Sequence, residues 1–245
     1  MNVFYHFGRY IFLIRMTFNK PESFAMYWRE MMRQMQNIGV GSLPIIAVIS
    51  LFIGAVTAIQ TAFQLLGSFI PQYYVGFIVR DSMLLELAPT ISSLVLAGKV
   101  GSNVATELGT MRISEQIDAL EIMGVNTAGY LVGPKLVAAV TMIPLLIILA
   151  AALGMIGGYI AVVASGAIET SLYERGLQIW YKPFYINILL IKSIVFGFIL
   201  TSIACYQGYF VSGGALELGS ASTRAVVYGS IMILVADYIL ALLLT

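Results

Sequence analysis

The chain has very few of the residues that enzymes and metalloproteins need. Among 245 residues there are one His and one Cys, and only 10% are charged. A metal site needs several such ligands at one point, and a serine nucleophile needs a base beside it. An aspartyl protease needs two facing carboxylates, whereas only Asp237 lies well inside an apolar run. The sequence therefore predicts no catalytic site, no metal site and no cofactor, and the lone Cys205 excludes a disulfide framework.

The phosphate-binding loop of ATPases is also missing. Its pattern is G-x-x-x-x-G-K-[ST]. The nearest stretch, SLVLAGKVG, has Ser93 at the first glycine position and Val100 at the hydroxyl position. The net charge of +1 provides no basic surface for nucleic acid. If ATP drives this protein, a partner chain binds the nucleotide.

Long apolar runs are what the sequence has in abundance. The chain is 60% hydrophobic with a mean hydropathy of +0.92, which is typical of a protein dissolved in lipid. Runs long enough to cross a hydrocarbon layer of about 30 Å lie at 43–66, 86–106, 131–163, 186–211 and 223–244. No run alternates with the period of a barrel strand, and helices satisfy their own backbone in lipid. We predict an all-α membrane protein with five transmembrane helices, forming a single domain over 1–245.

The distribution of Lys and Arg predicts the orientation, because basic loops resist translocation. Five basic residues precede the first span, and two more follow on the same side if the spans number five. These seven are Arg9, Arg15, Lys20, Arg29, Arg33, Arg112 and Arg224. The outer loops hold three, namely Arg80, Arg175 and Lys182. We therefore expect the N-terminus inside and the C-terminus outside.

The region before the first span, 1–42, has two apolar stripes at helical spacing. The first stripe holds Phe4, Phe7, Ile11, Ile14 and Phe18, and the second holds Phe24, Trp28, Met31, Met35 and Ile38. We interpret both as interfacial amphipathic helices, although helices packed on the protein's own spans would show the same pattern, and both can hold together. After the first span, 67–82 is apolar but broken by glycine and proline, and we predict a turn or a partly re-entrant piece at the outer face.

The stretch SEQIDALEIMG, 114–124, is unusually acidic for so apolar a chain. Ser114 is a good N-cap and Gly124 a natural residue after a helix end, so 115–123 is predicted to be a short helix. Its acidic face holds Glu115, Asp118 and Glu121, and its apolar face holds Ile113, Ile117 and Leu120. Such a helix suits a groove on a soluble partner, with a solvated loop helix as the alternative.

Two stretches resemble the MlaE-type permease family. The run ELAPTISSLVLAGKVGSNVATELGTMRISEQIDALEIMGVNTAGYLVGPKLVA, 86–138, is similar to its signature, which is close to E-L-G-P…A-G-R-x-G…A-E-L-G-x-M…E-Q-[IL]-x-A-[LM]…P-[RK]. The run STRAVVYGSIMILVADYILALLL, 222–244, resembles its last span. The chain departs from the family at Leu85, Ala88 and Lys99. Lys99 replaces a common Arg and loses that residue's planar fork of five donors.

The resemblance implies the membrane subunit of an ABC transporter that moves phospholipids or related lipids between inner and outer membranes. It implies a homodimer in the bacterial inner membrane with a periplasmic C-terminus. Its implied partners are a cytoplasmic ABC ATPase, an MCE-domain periplasmic lipid-binding protein, a small STAS-type regulatory subunit, and lipid. The segment 115–123 then corresponds to the coupling helix, whose candidate contact residues are Glu115, Gln116, Ile117, Asp118, Leu120 and Glu121.

Two competing interpretations remain open from the residues alone. An ion-coupled secondary transporter of an apolar substrate would use Asp237 or Glu86 as its titrating site. A membrane scaffold without transport would never hold acyl-chain lipid. Independently of these interpretations, we expect Glu86 to hold a basic or hydroxyl partner or to line the substrate path. Lys99 lines that path or snorkels to the interface.

Small residues lie along one face of the second span. They are Gly98, Gly101, Ala105 and Gly109. Small side chains allow the backbones of two membrane helices to approach closely. We therefore predict that this face serves helix packing.

Overall fold

The computed structural model describes residues 3–17, 24–65 and 69–244, and all regular structure in these ranges is helical. The α-helices are α1 Val3–Thr17, α2 Phe24–Ile38, α3 Leu43–Leu65, α4 Tyr74–Ser82, α5 Ser92–Leu96, α6 Ser102–Ile113, α7 Gln116–Ile122, α8 Gly133–Ser165, α9 Thr170–Gln178, α10 Phe184–Tyr209 and α11 Ala215–Leu244. A 3₁₀ turn, Val40–Ser42, joins α2 to α3, and π-helical stretches cover Met83–Ile91, Ala97–Gly101 and Ala128–Val132.

Five helical stretches within the described ranges are long and apolar enough to cross a membrane. They are Met26–Leu65, Tyr74–Ile113, Ala128–Ser165, Phe184–Tyr209 and Ala215–Leu244. This confirms the prediction of an all-helical chain with five candidate spans. Each stretch contains its predicted run to within two residues at the ends, since apolar length alone fixes where a chain can cross lipid.

Glycines set the closest helix contacts of the bundle, which lie between α3 and α8. A side chain at Gly54 would collide with the backbone of Gly154, and one at Gly157 would collide with the backbone of Leu51. Without a hydrophobic driving force between helices in lipid, this close van der Waals contact is a main source of association. The two helices are thereby fixed together on one side of the bundle.

The segment 67–82 forms the predicted turn only over 69–73, where the Tyr74 N–H donates to the Pro71 carbonyl at 3.1 Å. Tyr74–Ser82 forms a helix, α4, that runs directly into the second span, while Leu66, Gly67 and Ser68 lie outside the described residues. Gly76 lies inside α4 and does not break the helix. A side chain at this position would collide with the carbonyl of Tyr173 on α9. The glycine that looked like a breaker in the sequence instead allows α4 and α9 to pack closely.

Helix α1 lies against α10 through polar contacts. His6 Nδ1 lies 2.7 Å from the hydroxyl of Tyr206, and the hydroxyls of Tyr10 and Ser202 lie 2.8 Å apart. Burial raises the pKa of Tyr10, and the hydrogen bond to Ser202 opposes this shift. The predicted apolar stripe of α1 points away from the bundle, since Phe4, Phe7 and Ile11 are exposed. Phe18, at the end of that stripe, lies outside the described residues.

Helix α2 behaves differently, because part of its predicted stripe packs inward. Met31 and Ile38 are buried, whereas Trp28 is exposed. Part of α2 therefore packs on the protein's own helices while Trp28 stays on an exposed face, and the interfacial position remains a prediction.

Candidate functional site

The short helix α7, Gln116–Ile122, follows the end of the second span that α6 forms and begins with an unusual backbone conformation. Glu115 has φ 58° and ψ 14°, a left-handed conformation that L-residues other than Gly, Asn and Asp rarely adopt. The prediction of Ser114 as N-cap is wrong, because its hydroxyl donates backwards to the carbonyl of Thr110 at 2.7 Å. The end is as predicted: Gly124 has φ 81°, and its N–H donates to the Glu121 carbonyl at 3.0 Å.

The apolar face of α7 is covered by the protein itself. Ile117 is fully buried and Leu120 packs against the core, so the prediction that these two side chains fill a partner's groove is wrong. The reason is physical: an amphipathic helix beside a bundle covers its apolar face with the nearest apolar surface, which is the bundle. The apolar side chains that remain outward are Ile122, 88% exposed, and Met123, 68% exposed.

Two of the three acids of α7 are held within the chain. Asp118 Oδ1 accepts a hydrogen bond from Arg112 Nη1 at 2.7 Å, which ties α7 to α6. Glu121 Oε1 accepts from the hydroxyl of Tyr209 at 3.0 Å and from that of Thr127 at 3.2 Å. The Tyr209 and Thr127 hydroxyls lie 2.7 Å apart, so the three groups form one network.

Glu115 and Gln116 are exposed, and neither side chain bonds another residue in the described part of the chain. Of the six predicted contact residues, these two are therefore the ones free to meet a partner. The sequence missed Arg112, Thr127 and Tyr209, because their roles depend on which helices meet at this end of the bundle.

A second charged site lies among the spans. Lys192 of α10 is 1% exposed, and its Nζ donates to Glu86 Oε1 at 2.7 Å and to the Leu85 carbonyl at 3.0 Å. Asp237 Oδ1 of α11 also lies 2.7 Å from this ammonium, and Asp237 Oδ2 accepts from the Thr90 hydroxyl at 2.9 Å. Three spans thus meet at one buried cation.

This arrangement gives Glu86 the basic partner that we expected. The Glu86 side chain is 47% exposed and Asp237 only 15%, so one carboxylate reaches the surface of the bundle while the other is enclosed. Glu86 lies in the π-helical stretch Met83–Ile91, and such widened turns are frequent at functional sites. Lys192 was missed by the sequence reasoning, although a lysine near the start of the run 186–211 is itself a signal that a partner is needed.

A further buried pair lies towards the same end of the second span as α7. Lys135 of α8, 2% exposed, lies 2.5 Å from Glu107 Oε2 of α6, and Gln34 of α2 donates to the same carboxylate at 3.4 Å. Lys99, predicted to line the substrate path or to snorkel, donates to the carbonyl of Gly41 in the turn before α3. Lys99 and Glu107 both line a polar cavity of about 450 Å³ at this end.

The small residues of the second span divide into two groups. Ala105 is fully buried, and a side chain at Gly208 of α10 would collide with its backbone. A side chain at Gly109 would meet Leu218 and Val211. By contrast, nothing among the described residues approaches within 4 Å of a side chain placed at Gly98 or Gly101. Within the described chain, therefore, no close contact requires a glycine at position 98 or 101, although Gly101 is buried.

The spans differ sharply in how much of them the chain covers. In the most apolar 18-residue stretch of α10, 61% of the residues are buried, whereas in the corresponding stretch of α11 only 11% are buried. The uncovered face of α11 carries Val227, Tyr228, Ile231, Met232, Leu234, Val235, Tyr238, Ile239, Leu242 and Leu243. A face of this kind meets lipid acyl chains or another apolar helix.

The five spans, with charges neutralised between them and a polar helix at one end, define a multi-pass helical membrane protein of the kind that forms transporter subunits. The family model described as Permease MlaE matches residues 31–243, and the chain belongs to that family of ABC transporter permeases. Family members are non-catalytic transmembrane subunits without a cofactor, and an ABC permease implies a partner ATPase. This identification favours the ABC permease over the ion-coupled transporter.

Several relatives are similar over most of the chain. A probable ABC transporter permease protein of Rickettsia bellii is 36% identical over 215 residues, which are 88% of this chain and 83% of the relative. The intermembrane phospholipid transport system permease protein MlaE of Haemophilus influenzae is 34% identical over 212 residues, 86% of this chain and 80% of the relative. The chloroplastic protein TRIGALACTOSYLDIACYLGLYCEROL 1 of Arabidopsis thaliana is 33% identical over 218 residues, 88% of this chain and 61% of the relative.

Proposed function

We propose that this chain is the permease subunit of an ABC transporter that moves phospholipids or related lipids between the inner and outer membranes of a bacterium. The similarity to a phospholipid transport permease over 86% of the chain carries this proposal. The half-exposed Glu86 and the uncovered apolar face of α11 support it, since a lipid path needs apolar walls with a polar group near its mouth. ATP is bound and hydrolysed by the partner subunit.

The permease works as a homodimer in this proposal. A single chain leaves α11 almost uncovered, and the first span has only 28% of its most apolar window buried. A second copy that covers part of these faces would enclose an apolar cavity between the protomers. Gly98, which is exposed and has open space around its side-chain position within the described chain, is available for close approach there.

The whole of 1–245 forms one permease domain in the inner membrane, with interfacial helices in 1–42, the transmembrane bundle in 43–244, a cytoplasmic N-terminus and a periplasmic C-terminus. Cysteine labelling tests this orientation. The native Cys205 is buried, so only an introduced cysteine should react with the label. Arg29→Cys should react with an impermeant maleimide only in inverted vesicles, and Ser171→Cys only in right-side-out vesicles. The opposite pattern would reverse the topology.

Helix α7 acts as the coupling helix of the proposed complex. Glu115 and Gln116 provide its polar contacts with the ATPase, and Ile122 and Met123 provide its apolar contacts, because these four side chains are exposed. Asp118 and Glu121 transmit movement of α7 to α6 and α10 through Arg112 and Tyr209. An MCE-domain lipid-binding protein on the periplasmic side and a small STAS-type regulatory subunit complete the assembly.

Reconstitution separates this function from its competitors. The permease and its ATPase are placed in liposomes with a fluorescent phospholipid and an acceptor for the extracted lipid, and an ATPase that binds but cannot hydrolyse ATP is the control. We expect transfer that requires ATP hydrolysis. Transfer by the isolated chain in response to a proton gradient would overturn the proposal, and so would purification without acyl-chain lipid.

Glu86→Gln is the informative variant in this assay. The amide keeps the size of the side chain but loses its charge, and Lys192 still has Asp237 as a partner. We expect reduced transfer with a normal yield of assembled complex. Normal transfer by Glu86→Gln would leave the residue a structural role only.

A further inference from the structure

A cavity of about 610 Å³ lies where α1 meets the end of α10 and the beginning of α11. Its walls combine cationic, hydroxyl and aromatic groups, and include His6, Arg9, Tyr206, Phe210, Arg224 and Tyr228. It is distinct from the Glu86 site, since none of its lining residues takes part in the Lys192 cluster. It also contains neither Glu115 nor any residue of α7.

The two guanidinium groups of this cavity lack an acidic partner among the described residues. Arg9 stacks on the ring of Phe210, with 3.9 Å from Cζ to the ring centroid, and that contact leaves its N–H donors unused by a carboxylate. Arg224 is exposed, and no ion pair of Arg224 occurs within 3–17, 24–65 and 69–244. Other basic residues of the bundle, such as Lys135 and Lys192, are neutralised by carboxylates.

One carboxylate, Glu217, also lines the cavity, and its Oε2 accepts a hydrogen bond from Ser220 at 3.3 Å. Glu217 carries one negative charge, whereas Arg9 and Arg224 carry two positive charges, so the lining has a net positive charge even when His6 is neutral. The His6 ring and the Tyr206 hydroxyl bond each other at 2.7 Å and fix that wall of the cavity. An anion with one negative charge would therefore be neutralised here.

The depth of the cavity points to the membrane interface. From Arg224 to the end of α11, residues 225–244 carry one charged side chain, Asp237, and they span about 30 Å at 1.5 Å per residue. This matches the hydrocarbon thickness of a bilayer, so Arg224 lies at the level of the lipid headgroups. The exposed Phe4, Phe7 and Phe12 of α1 place an apolar surface at the same level, where acyl chains begin.

We propose that this cavity binds the phosphate group of an anionic glycerophospholipid from the leaflet around α1. Arginine binds phosphate oxygens through paired N–H donors, and the ring of Phe210, on which Arg9 stacks, holds that guanidinium at the cavity wall. The apolar surface of α1 accommodates the acyl chains, which a free phosphate ion lacks. This site is separate from the transport path, and the bound lipid fixes α1 against α10 and α11.

Lipid binding to the purified full-length permease in detergent tests the proposal. The probe is a fluorescent phosphatidylglycerol, and the competitors are unlabelled phosphatidylglycerol, phosphatidylcholine with the same chains, and inorganic phosphate. The variant is Arg9→Gln combined with Arg224→Gln, and the matched control is Arg29→Gln combined with Arg33→Gln on α2. We expect saturable binding that the variant weakens at least tenfold and the control leaves within twofold.

The competitors distinguish the sources of the anion. Unlabelled phosphatidylglycerol should displace the probe, phosphatidylcholine should do so at least tenfold less well, and inorganic phosphate should be weaker still. Displacement by inorganic phosphate at the same concentration as by phosphatidylglycerol would overturn the lipid assignment in favour of a free-anion site. Equal displacement by phosphatidylcholine would overturn the requirement for a net negative charge.

A milder substitution serves as the control for misfolding of the double variant. Arg224→Gln alone removes a side chain that makes no bond within the described chain, so it should fold normally and still lose part of the binding. Wild-type affinity in the folded double variant would overturn the proposal. So would loss of ATPase co-purification with lipid binding intact, because the cavity would then contact a protein. Lipid transfer in the liposome assay is measured separately, so failure here leaves the proposed function standing.

Discussion

The charges around Lys192 and those on α7 lie in opposite environments. Lys192 lies between three spans, where an unpaired charge is very unfavourable, and two carboxylates and a carbonyl surround it. Helix α7 lies at the end of the bundle, where water or a partner solvates its acids, and Glu115 has no bonded partner in the described chain. Within the described residues, the bundle therefore surrounds the Lys192 charge among the spans with carboxylates and leaves the Glu115 charge free at its end.

The comparison shows which charges can serve a partner. A buried ion pair adds little stability in comparison with apolar packing of similar volume. Removing one member of the pair is costly, however, because it leaves the other charged and desolvated. An exposed pair such as Arg112 with Asp118 contributes little by itself. We therefore expect substitutions among the spans to alter folding, and substitutions on α7 to alter binding.

The largest effect is expected for Lys192→Met. Removal of the ammonium leaves Glu86 and Asp237 without their cation, and breaking a buried pair in this way destabilises a protein by about 3–5 kcal/mol. Unfolding of the purified permease in mixed micelles with increasing SDS measures the change. The control, Lys182→Met, alters an exposed lysine and should shift stability by at most about 0.5 kcal/mol.

A second substitution tests the same cluster by rescue. Asp237→Asn removes one of the two uncompensated charges, so the combination with Lys192→Met should recover part of the lost stability. If Lys192→Met is as stable as Lys182→Met, the cluster does not hold the three spans together, and the contrast with α7 fails.

The next effect is expected for Glu115→Lys combined with Asp118→Lys. Reversing the charge of Glu115 on the docked face should cost about 2–5 kcal/mol of ATPase binding, because the partner's groups are left buried without a counter-charge, and reversing Asp118 also breaks its pair with Arg112. Stability should fall by only about 0–1 kcal/mol, since the Arg112 pair that is lost is exposed. Titration of the ATPase onto immobilised permease, together with the SDS unfolding assay, measures both quantities.

The control for this variant uses another short helix. Glu169→Lys combined with Glu174→Lys changes two exposed acids at α9, on the opposite face in the proposed topology, and should leave ATPase binding unchanged. Wild-type ATPase affinity and lipid transfer in the α7 variant would exclude α7 as the coupling helix.

A smaller effect is expected for Tyr209→Phe. The substitution removes the hydroxyl that bonds Glu121 at 3.0 Å and Thr127 at 2.7 Å, and a lost bond to a charged group costs about 1.5–3 kcal/mol. Binding of the ATPase should persist because Tyr209 is buried, but more ATP should be hydrolysed per lipid transferred, because α7 is no longer tied to α10. The ratio of phosphate released to lipid transferred measures this.

Tyr238→Phe is the matched control, since Tyr238 is an exposed tyrosine of α11. An unchanged ratio in Tyr209→Phe would show that α7 transmits its movement through other contacts, with Arg112 the first to examine.

The spans were predictable because the length of an apolar run depends only on the chain and the thickness of lipid. The start of the second span was not, because the role of Gly76 depends on Tyr173, nearly a hundred residues away. The short helix was likewise predicted within a residue at each end. Which of its faces the bundle covers was predicted wrongly at Ile117, since periodicity tells which residues share a face but not what lies against it.

The charged sites show the same limit. Glu86 was singled out as a carboxylate in a span that needs a partner, and the partner proved to be a lysine one hundred and six residues further on. Nothing local to either residue connects them, because the connection depends on α10 and α11 meeting the second span. Tyr209 was missed for the same reason, as its importance comes only from its distance to Glu121.

The smallest effect, and the one that separates folding from binding most directly, is expected at Glu115. Its left-handed backbone, φ 58°, costs about 1–2 kcal/mol in a residue with a Cβ, whereas glycine adopts it freely but loses about 0.5–1 kcal/mol in conformational entropy. Glu115→Gly should therefore stabilise the permease by up to about 1 kcal/mol, while Glu174→Gly, in the right-handed helix α9, should destabilise it by about 1 kcal/mol. The same Glu115→Gly protein should bind the ATPase more weakly, because the free acid of α7 is gone. A loss of stability like that of Glu174→Gly would show that the chain does not turn through the left-handed region before α7, and an unchanged ATPase affinity would remove Glu115 from the contact.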